Sequence, residues 1–411
     1  MRVQVVDPSA YTPPYDHALC AALARAGAEV ELVTGPFPYG STATLEGYTV
    51  REFFYRRAWG PAGSRRRRLA KLLEHLPAML AYRRHALAAQ VVHFQWLTVQ
   101  PLDRHLLPRR PTVLTAHDLL PREPRPLQVR GQRRLYESVD AVVVHSRFGR
   151  RQLVERLGVE PAKVRVIPHG AFEHLTRMPA GELPPELAQP SPGRSRSRCA
   201  SPSRSGSPAE GTVPASEPPL VVMFFGLLRP YKGIELLLEA WRRLPPGGPR
   251  AELWIVGRPR MAIDRLLASS PPGVRWVTRF VSDRELAACF RRAQVVVLPY
   301  LRTERFDFSG VLATALAFAR PIVLSDVGAF SEVAELGAAQ LVPAGEVEAL
   351  TAALAGLLGD PERRRRLAQA ARRAAEGAYS WRTAAELTLA LYRELVGEGR
   401  PAPAAPAALE S

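Results

Sequence analysis

Cysteine is scarce in this chain. Three residues, Cys20, Cys199 and Cys289, are spread over 411 positions, too few and too scattered for a disulfide framework or a Cys-rich zinc site. No apolar run approaches the roughly 18 residues that span a bilayer. The start, Met-Arg-Val-Gln-Val-Val-Asp, carries no signal-peptide pattern, so a cytoplasmic protein is the expectation. Neither a GxGxxG loop nor a P-loop occurs, which removes support for a dinucleotide-dependent dehydrogenase or a P-loop NTPase. RNA-recognition aromatics and a helix-turn-helix signature are also missing, so no nucleic-acid partner is expected. Acidic residues are outnumbered: 39 Asp/Glu stand against 56 Lys/Arg, a net charge of +17.

That excess is uneven. Residues 1–178 carry 27 Lys/Arg and 15 Asp/Glu, or +12, whereas residues 220–411 carry 25 and 20, or +5. A basic first part favours an anionic partner: a membrane surface, a phosphorylated substrate or, on charge alone, nucleic acid. Between them, residues 179–219 hold ten Pro and eight Ser, no aromatic residue and no net charge. Such a stretch buries too little apolar surface to offset its ordering entropy, so a disordered linker or insertion is expected there. Residues 396–411 read as a disordered tail.

On both sides of this stretch, short β-rich runs alternate with helical patterns. Strands are expected at Arg2–Val6, Glu29–Thr34, Val91–Phe94, Thr112–Thr115, Val139–His145 and Lys163–Pro168. The series resumes at Leu220–Phe225, Glu252–Val256, Val274–Val277, Val295–Pro299 and Pro321–Ser325. This alternation predicts α/β architecture, with parallel sheets covered on both faces. The expected organisation is two doubly wound Rossmann-like domains facing a cleft, at 1–178 and 220–395. Ligands in such sheets bind beyond the carboxyl ends of the strands, so the loops there are the informative ones.

Four loops carry chemistry. In Phe224-Phe-Gly-Leu-Leu-Arg-Pro-Tyr-Lys-Gly233, Gly226 ends a strand, and Arg229 and Lys232 stand where a helix opens. Helix N-termini favour anions, and the two cations suit a diphosphate. In Asp307-Phe-Ser-Gly-Val-Leu, Ser309 reads as a helix N-cap and Gly310 allows close backbone approach. Thr115-Ala-His-Asp-Leu-Leu-Pro121 places His117 at a strand's carboxyl end, as general base, hydrogen-bond donor or metal ligand, or as a structural residue. Tyr11-Thr-Pro-Pro-Tyr-Asp-His17 is a loop stiffened by Pro13 and Pro14, after which Asp16 and His17 open a helix.

Together these segments resemble the GT-B glycosyltransferases, in particular the family-4 retaining type. The likeness covers nearly the whole chain outside 179–219. It includes "VVHFQW" at Val91–Trp96, "TAHDLLP" at Thr115–Pro121, "VRVIPHG" at Val164–Gly170, "GLLRPYKG" at Gly226–Gly233 and "YSW" at Tyr379–Trp381. "SGVLATALAFARPIVLSDVGAFSE" spans Ser309–Glu332. The resemblance implies a nucleotide-diphosphate-sugar donor held by the C-terminal domain and an acceptor (a glycan, a lipid-linked molecule or a small molecule) held by the N-terminal domain. It implies no metal and no further cofactor, because Arg and Lys replace the cation at the diphosphate. Lys232 then contacts the diphosphate, Arg229 shares that role, and His117 lies near sugar and acceptor. Donor-side candidates are Gly226, Ser309, Gly310, Val311, Asp307 and Glu332; acceptor-side candidates are Tyr15, Asp16 and His17.

Two departures stand out. The family's Arg falls at Leu227, and the family's Glu-x7-Glu pair falls at Phe306 and Thr314, neither of them acidic. Glu304 or Asp307 is the remaining source of a carboxylate there. A nucleotide-sugar epimerase or a non-catalytic sugar-nucleotide binder on the same fold stays open as an alternative. Separately, Arg65–Arg84 combines seven cations and one Glu with Leu69, Leu72, Leu73, Leu76 and Leu80 at helical spacing. Such a helix either packs its leucines on its own domain or lies on an anionic membrane surface.

Overall fold

A computed structural model describes residues 1–37, 46–60, 64–97, 99–120, 126–179, 181–188, 217–302 and 308–397. They fall into two compact units: Met1–Gly170 with Phe308 and 377–397, and a second unit of the described residues in 171–302 and 309–376. Both are α/β units built on an all-parallel sheet, as the alternation predicts.

The first unit has seven strands: β1 (Arg2–Asp7), β2 (Glu29–Thr34), β3 (Thr49–Glu52), β4 (Val91–Phe94), β5 (Thr112–Thr115), β6 (Ala141–Val144) and β7 (Val164–Val166). Their order is β3-β2-β1-β4-β5-β6-β7. β4, β5 and β6 are buried at every residue, which explains their continuous apolar character. Helix α1 (Pro13–Arg25) follows β1, α2 (Arg65–His85) and α3 (Gln100–Asp103) flank β4, and α4 (Pro126–Ser138) and α5 (Arg147–Arg151) follow β5 and β6.

The second unit begins with α6 (Glu173–Thr176) and α7 (Pro185–Ala188). Its strands are β8 (Leu220–Phe225), β9 (Ala251–Val256), β10 (Val274–Val277), β11 (Val295–Leu298), β12 (Ile322–Ser325) and β13 (Gln340–Val342), in the order β10-β9-β8-β11-β12-β13. Helices α8 (Ile234–Arg242), α9 (Asp264–Ala268), α10 (Asp283–Arg292), α11 (Gly310–Ala317), α12 (Phe330–Glu335), α13 (Val347–Gly359) and α14 (Pro361–Glu376) cover it. In each sheet the strand order reverses once, between β1 and β4 and between β8 and β11. A doubly wound sheet leaves its crevice at that reversal, outside the strands' carboxyl ends.

Three expected boundaries are corrected. The first unit's opening segment ends at Gly170, so α6, inside the expected 1–178 domain, belongs to the second unit. The last helix, α15 (Trp381–Val396), belongs to the first unit, not to the domain at 220–395. The Tyr392 hydroxyl lies 2.6 Å from His93 Nδ1, and α15 packs along α1. Trp381 lies against Gly170, where a Cβ would come 2.3 Å from the indole ring. The disorder expected over 179–219 does not extend to 181–188. There Leu187 is buried, Glu186 pairs with Arg279, and Arg275 donates to the Glu186 carbonyl. Residues 189–216 and 398–411 lie outside the described residues.

Helix α2 forms where the basic amphipathic pattern predicts it, with Ser64 capping the Arg67 N–H and Pro77 in its interior. Its inward face is His75, Met79 and Tyr82. Leu69, Leu72, Leu73, Leu76 and Leu80 are 43–72% exposed, so the leucine row does not pack on its own unit. Among the described residues no helix is long and apolar enough to cross a membrane.

Candidate functional site

The reversal in the second sheet brings the loop after β8 beside the loop after β11. Gly226 ends β8 with φ +121°, and a short helical turn, Pro230–Lys232, follows. Lys232 is only 7% exposed. Its Nζ rests against Gly226, where any Cβ would stand 2.6 Å from it. A Cβ at 226 would force the ammonium to shift. The same Nζ lies 5.0 Å from the centroid of the Tyr300 ring, a π-face that favours a cation.

Tyr300 also ties in the second motif: its hydroxyl is 3.3 Å from Ser309 Oγ. Ser309 does occupy the N-cap position of α11, and its carbonyl accepts from Ala313 N. Its side chain makes no cap bond, contrary to the expectation from sequence, because the hydroxyl is turned to Tyr300. The first N–H groups of a helix have no intrahelical acceptor, and here the cap side chain takes none of them. Val311 Cγ2 lies 3.2 Å from the Cβ position at Gly226, which joins Gly226, Lys232, Ser309, Gly310 and Val311 into one cluster. Arg229 is half-buried at the start of the short turn, and Leu227 is exposed where the resemblance expects Arg. Thr314, in the place of a family Glu, is buried and donates to the Gly310 carbonyl. Glu332 sits half-buried in the first turn of α12. Glu304, Phe306 and Asp307 lie outside the described residues.

The first unit carries a second cluster at its carboxyl edge. His117, at the end of β5, stacks on Trp96 with centroids 5.2 Å apart and planes at 18°. The Tyr15 ring meets His117, His145 and His169 at 4.7, 5.4 and 4.9 Å. His93 Nε2 is 2.7 Å from Thr115 Oγ1. Burial pushes the imidazoles of His93 and His169 down to about 3 and that of His145 to about 4, and it holds His117 well below the usual range. All four rings are neutral near pH 7. Among the described residues no three His, Cys, Asp or Glu side chains converge as metal ligands. Beside His117 lies a cavity of about 420 Å3 lined by Gln95, Trp96, Asp118 and Gln132.

The acceptor-side candidates divide. Tyr15 belongs to this aromatic cluster, but Asp16 and His17 turn inward and are buried. His17 Nδ1 meets the Tyr48 hydroxyl at 2.5 Å. Asp16 is hydrogen-bonded to the buried Asp7, which accepts from the N–H groups of Ser9, Tyr11 and Thr12. Burial, then the Asp7 charge, raises the Asp16 carboxyl well above its ordinary range. Sequence reasoning passed over Asp7, Gln95, His145, His169 and Tyr300. Four of these lie inside quoted motifs or at strand ends, but their pairing across strands leaves no trace in local spacing.

Comparison with known proteins supplies the family. A model described as "Glycosyl transferases group 1" matches residues 219–360, and one described as "Glycosyltransferase Family 4" matches residues 15–171. The D-inositol 3-phosphate glycosyltransferase of Kineococcus radiotolerans is 30% identical over 330 residues, 73% of this chain and 68% of that protein. In structure, the sucrose-phosphate synthase of Thermosynechococcus elongatus superposes with a TM-score of 0.68 at 19% identity, covering 97% of this chain and 100% of that one. The Anabaena protein HepE in complex with UDP-glucose gives 0.64 at 17% identity, over 95% and 99%. Two parallel Rossmann-like units, each matched by a glycosyltransferase family model, together with a relative 30% identical over most of both chains, identify the chain as a GT-B glycosyltransferase belonging to the family 4 and group 1 enzymes.

Proposed function

We propose that this glycosyltransferase takes its sugar from a nucleotide-diphosphate-sugar held by the second unit and passes it to an acceptor hydroxyl held by the first, with retention of configuration and without a metal. The observation that carries the donor assignment is the buried Lys232 ammonium at the β8/β11 reversal, beside the N-terminus of α11. A fixed cation and a row of N–H groups suit a diphosphate and favour its charge as it leaves. HepE, of the same fold, was crystallised with UDP-glucose. In the proposed step the acceptor oxygen bonds to the anomeric carbon as the bond from that carbon to the diphosphate oxygen breaks. The acceptor's proton passes to the departing phosphate oxygen, so no protein nucleophile is required. Thr314 in place of a family Glu fits a step that rests on positioning and on leaving-group stabilisation.

A thermal-shift panel of UDP, GDP, ADP and dTDP tests the donor assignment. A nucleotide at one hundred times its Kd stabilises the native state by about 2.7 kcal/mol. The expected result is a shift with one nucleotide that disappears in Lys232→Ala. No shift with any of the four, or an undiminished shift in the variant, overturns it. Turnover undiminished by EDTA, and a product whose anomeric configuration matches the donor's by NMR, are the expected results for the metal and stereochemical parts.

A second reading concerns the acceptor and rests on α2. Its leucine row is exposed and is flanked by Arg65–Arg68, Lys71, Arg83 and Arg84. We propose that this face lies on an anionic membrane surface, so that the acceptor is membrane-associated. Sedimentation with anionic vesicles at low salt, and release at high salt, is expected. Equal recovery in the supernatant with neutral and anionic vesicles ends the idea.

A further inference from the structure

His117 has both ring nitrogens engaged. Nδ1 lies 3.3 Å from His145 Nε2, and Nε2 lies 3.1 Å from Gln95 Oε1. His145 in turn places Nδ1 3.0 Å from the Ile167 carbonyl. A carbonyl only accepts, so His145 carries its proton on Nδ1. With both rings kept neutral by burial, His145 Nε2 is a lone pair. The group facing it must donate, which puts the His117 proton on Nδ1. His117 Nε2 is then a lone pair as well, and an oxygen opposite it would repel. Gln95 resolves the conflict. Its amide Nε2 is buried without a hydrogen-bond partner, and exchanging the amide N and O turns an N–H toward His117. Amide orientation and imidazole tautomer are fixed by such network arguments.

We propose that His145 is a positioning residue for the transfer reaction: anchored on the Ile167 carbonyl, it holds His117 as the Nδ1–H tautomer and makes His117 Nε2 an acceptor site for a substrate hydroxyl. The inference rests on the substrate-side role given to His117 above. A lone pair there accepts from a sugar or acceptor hydroxyl and repels phosphate or carboxylate oxygens, so this edge of the ring selects hydroxyl-bearing groups. Stacking on Trp96 fixes the ring plane. The Gln95 amide holds the Nε2 position until a hydroxyl replaces it.

Long-range proton–nitrogen NMR correlation of the 15N-labelled protein reads each tautomer directly, with His117→Asn and His145→Asn assigning the signals. Both rings are expected as Nδ1–H in the wild type. In His145→Leu, which has no acceptor, His117 is expected to revert to Nε2–H against the Gln95 oxygen. In His145→Gln, whose amide oxygen accepts, the Nδ1–H form is expected to persist, and this variant keeps the test alive if His145→Leu fails to fold. An Nε2–H His117 in the wild type, or an unchanged tautomer in His145→Leu, overturns the proposal. With substrates in hand, KM is expected to rise about tenfold in His145→Leu with a smaller change in kcat, and to recover in His145→Gln. The NMR arms need no substrate. The expected tautomers in a protein without transferase activity would overturn the functional reading and leave the anchoring of His117 standing.

Discussion

Asp7 and Asp16 share one buried site, and their surroundings differ. Asp7 accepts three backbone N–H bonds, which favour its charge; Asp16 accepts one from Thr12 Oγ1 and lies next to a charged carboxylate. Asp16 therefore holds the proton. A carboxyl whose folded pKa is raised weakens the fold as pH rises from about 4 toward that raised value, because the unfolded chain releases the proton that the native state keeps. Asn at 16 can donate to Asp7 and accept from Thr12 without a proton to lose. Asp16→Asn is thus expected to match or exceed the wild type in urea unfolding at pH 8 and to flatten the pH dependence between pH 5 and 9. Asp7→Ala strands three N–H groups and is expected to cost about 1–3 kcal/mol at every pH. Equal losses in the two variants at pH 8 would refute the assignment of the proton. Neither residue's partner was legible in the sequence. Asp16 reads there as a loop-facing acceptor residue, and only the return of the chain past β1 makes it an inward one.

Elements that are buried on both sides announced themselves by composition. β4, β5, β6, β8, β9, β11 and β12 are rich in Val, Ile, Leu and Phe, and their bounds fall within two residues of those expected. β3, Thr49–Glu52, went unread because it is an edge strand, largely exposed and charged. α4 was hidden by the prolines and arginines at its start. In α2 the spacing of the leucines was legible, but which face meets the sheet was not. Met79 and Tyr82 face inward with His75, whose ring is hydrogen-bonded to Tyr55 and Asp103. The prediction at this scale separates the two faces. Leu72→Ser with Leu76→Ser should abolish vesicle sedimentation and leave the melting temperature unchanged. Met79→Ala should cost about 2–5 kcal/mol by leaving a cavity. A large loss of stability in the leucine variant would place that face in the core instead.

At the scale of the whole molecule, the chain order misleads about which unit α15 serves. Its ring contacts and hydrogen bonds lie with the first unit, through Trp381 on Tyr15 and Tyr392 on His93. Trp381→Ala is expected to cost about 3–5 kcal/mol, localised in the first unit. Limited proteolysis of the variant should therefore cut first within residues 1–170 and leave the second unit protected. Faster cutting within 220–376 would assign the helix to the other unit. By itself the sequence determined the α/β class, the parallel strand series, the loops at strand ends and the family, because periodicity and motif order are local properties of a chain. Only the tertiary structure decided that Lys232 rests against Gly226, that His145 faces His117, that Asp16 faces Asp7 and that the leucine row of α2 faces outward. The His145–His117 and Asp16–Asp7 pairings join residues from different elements, and their distances are set by how strands stack side by side and by which helix covers them. No spacing along the chain encodes that.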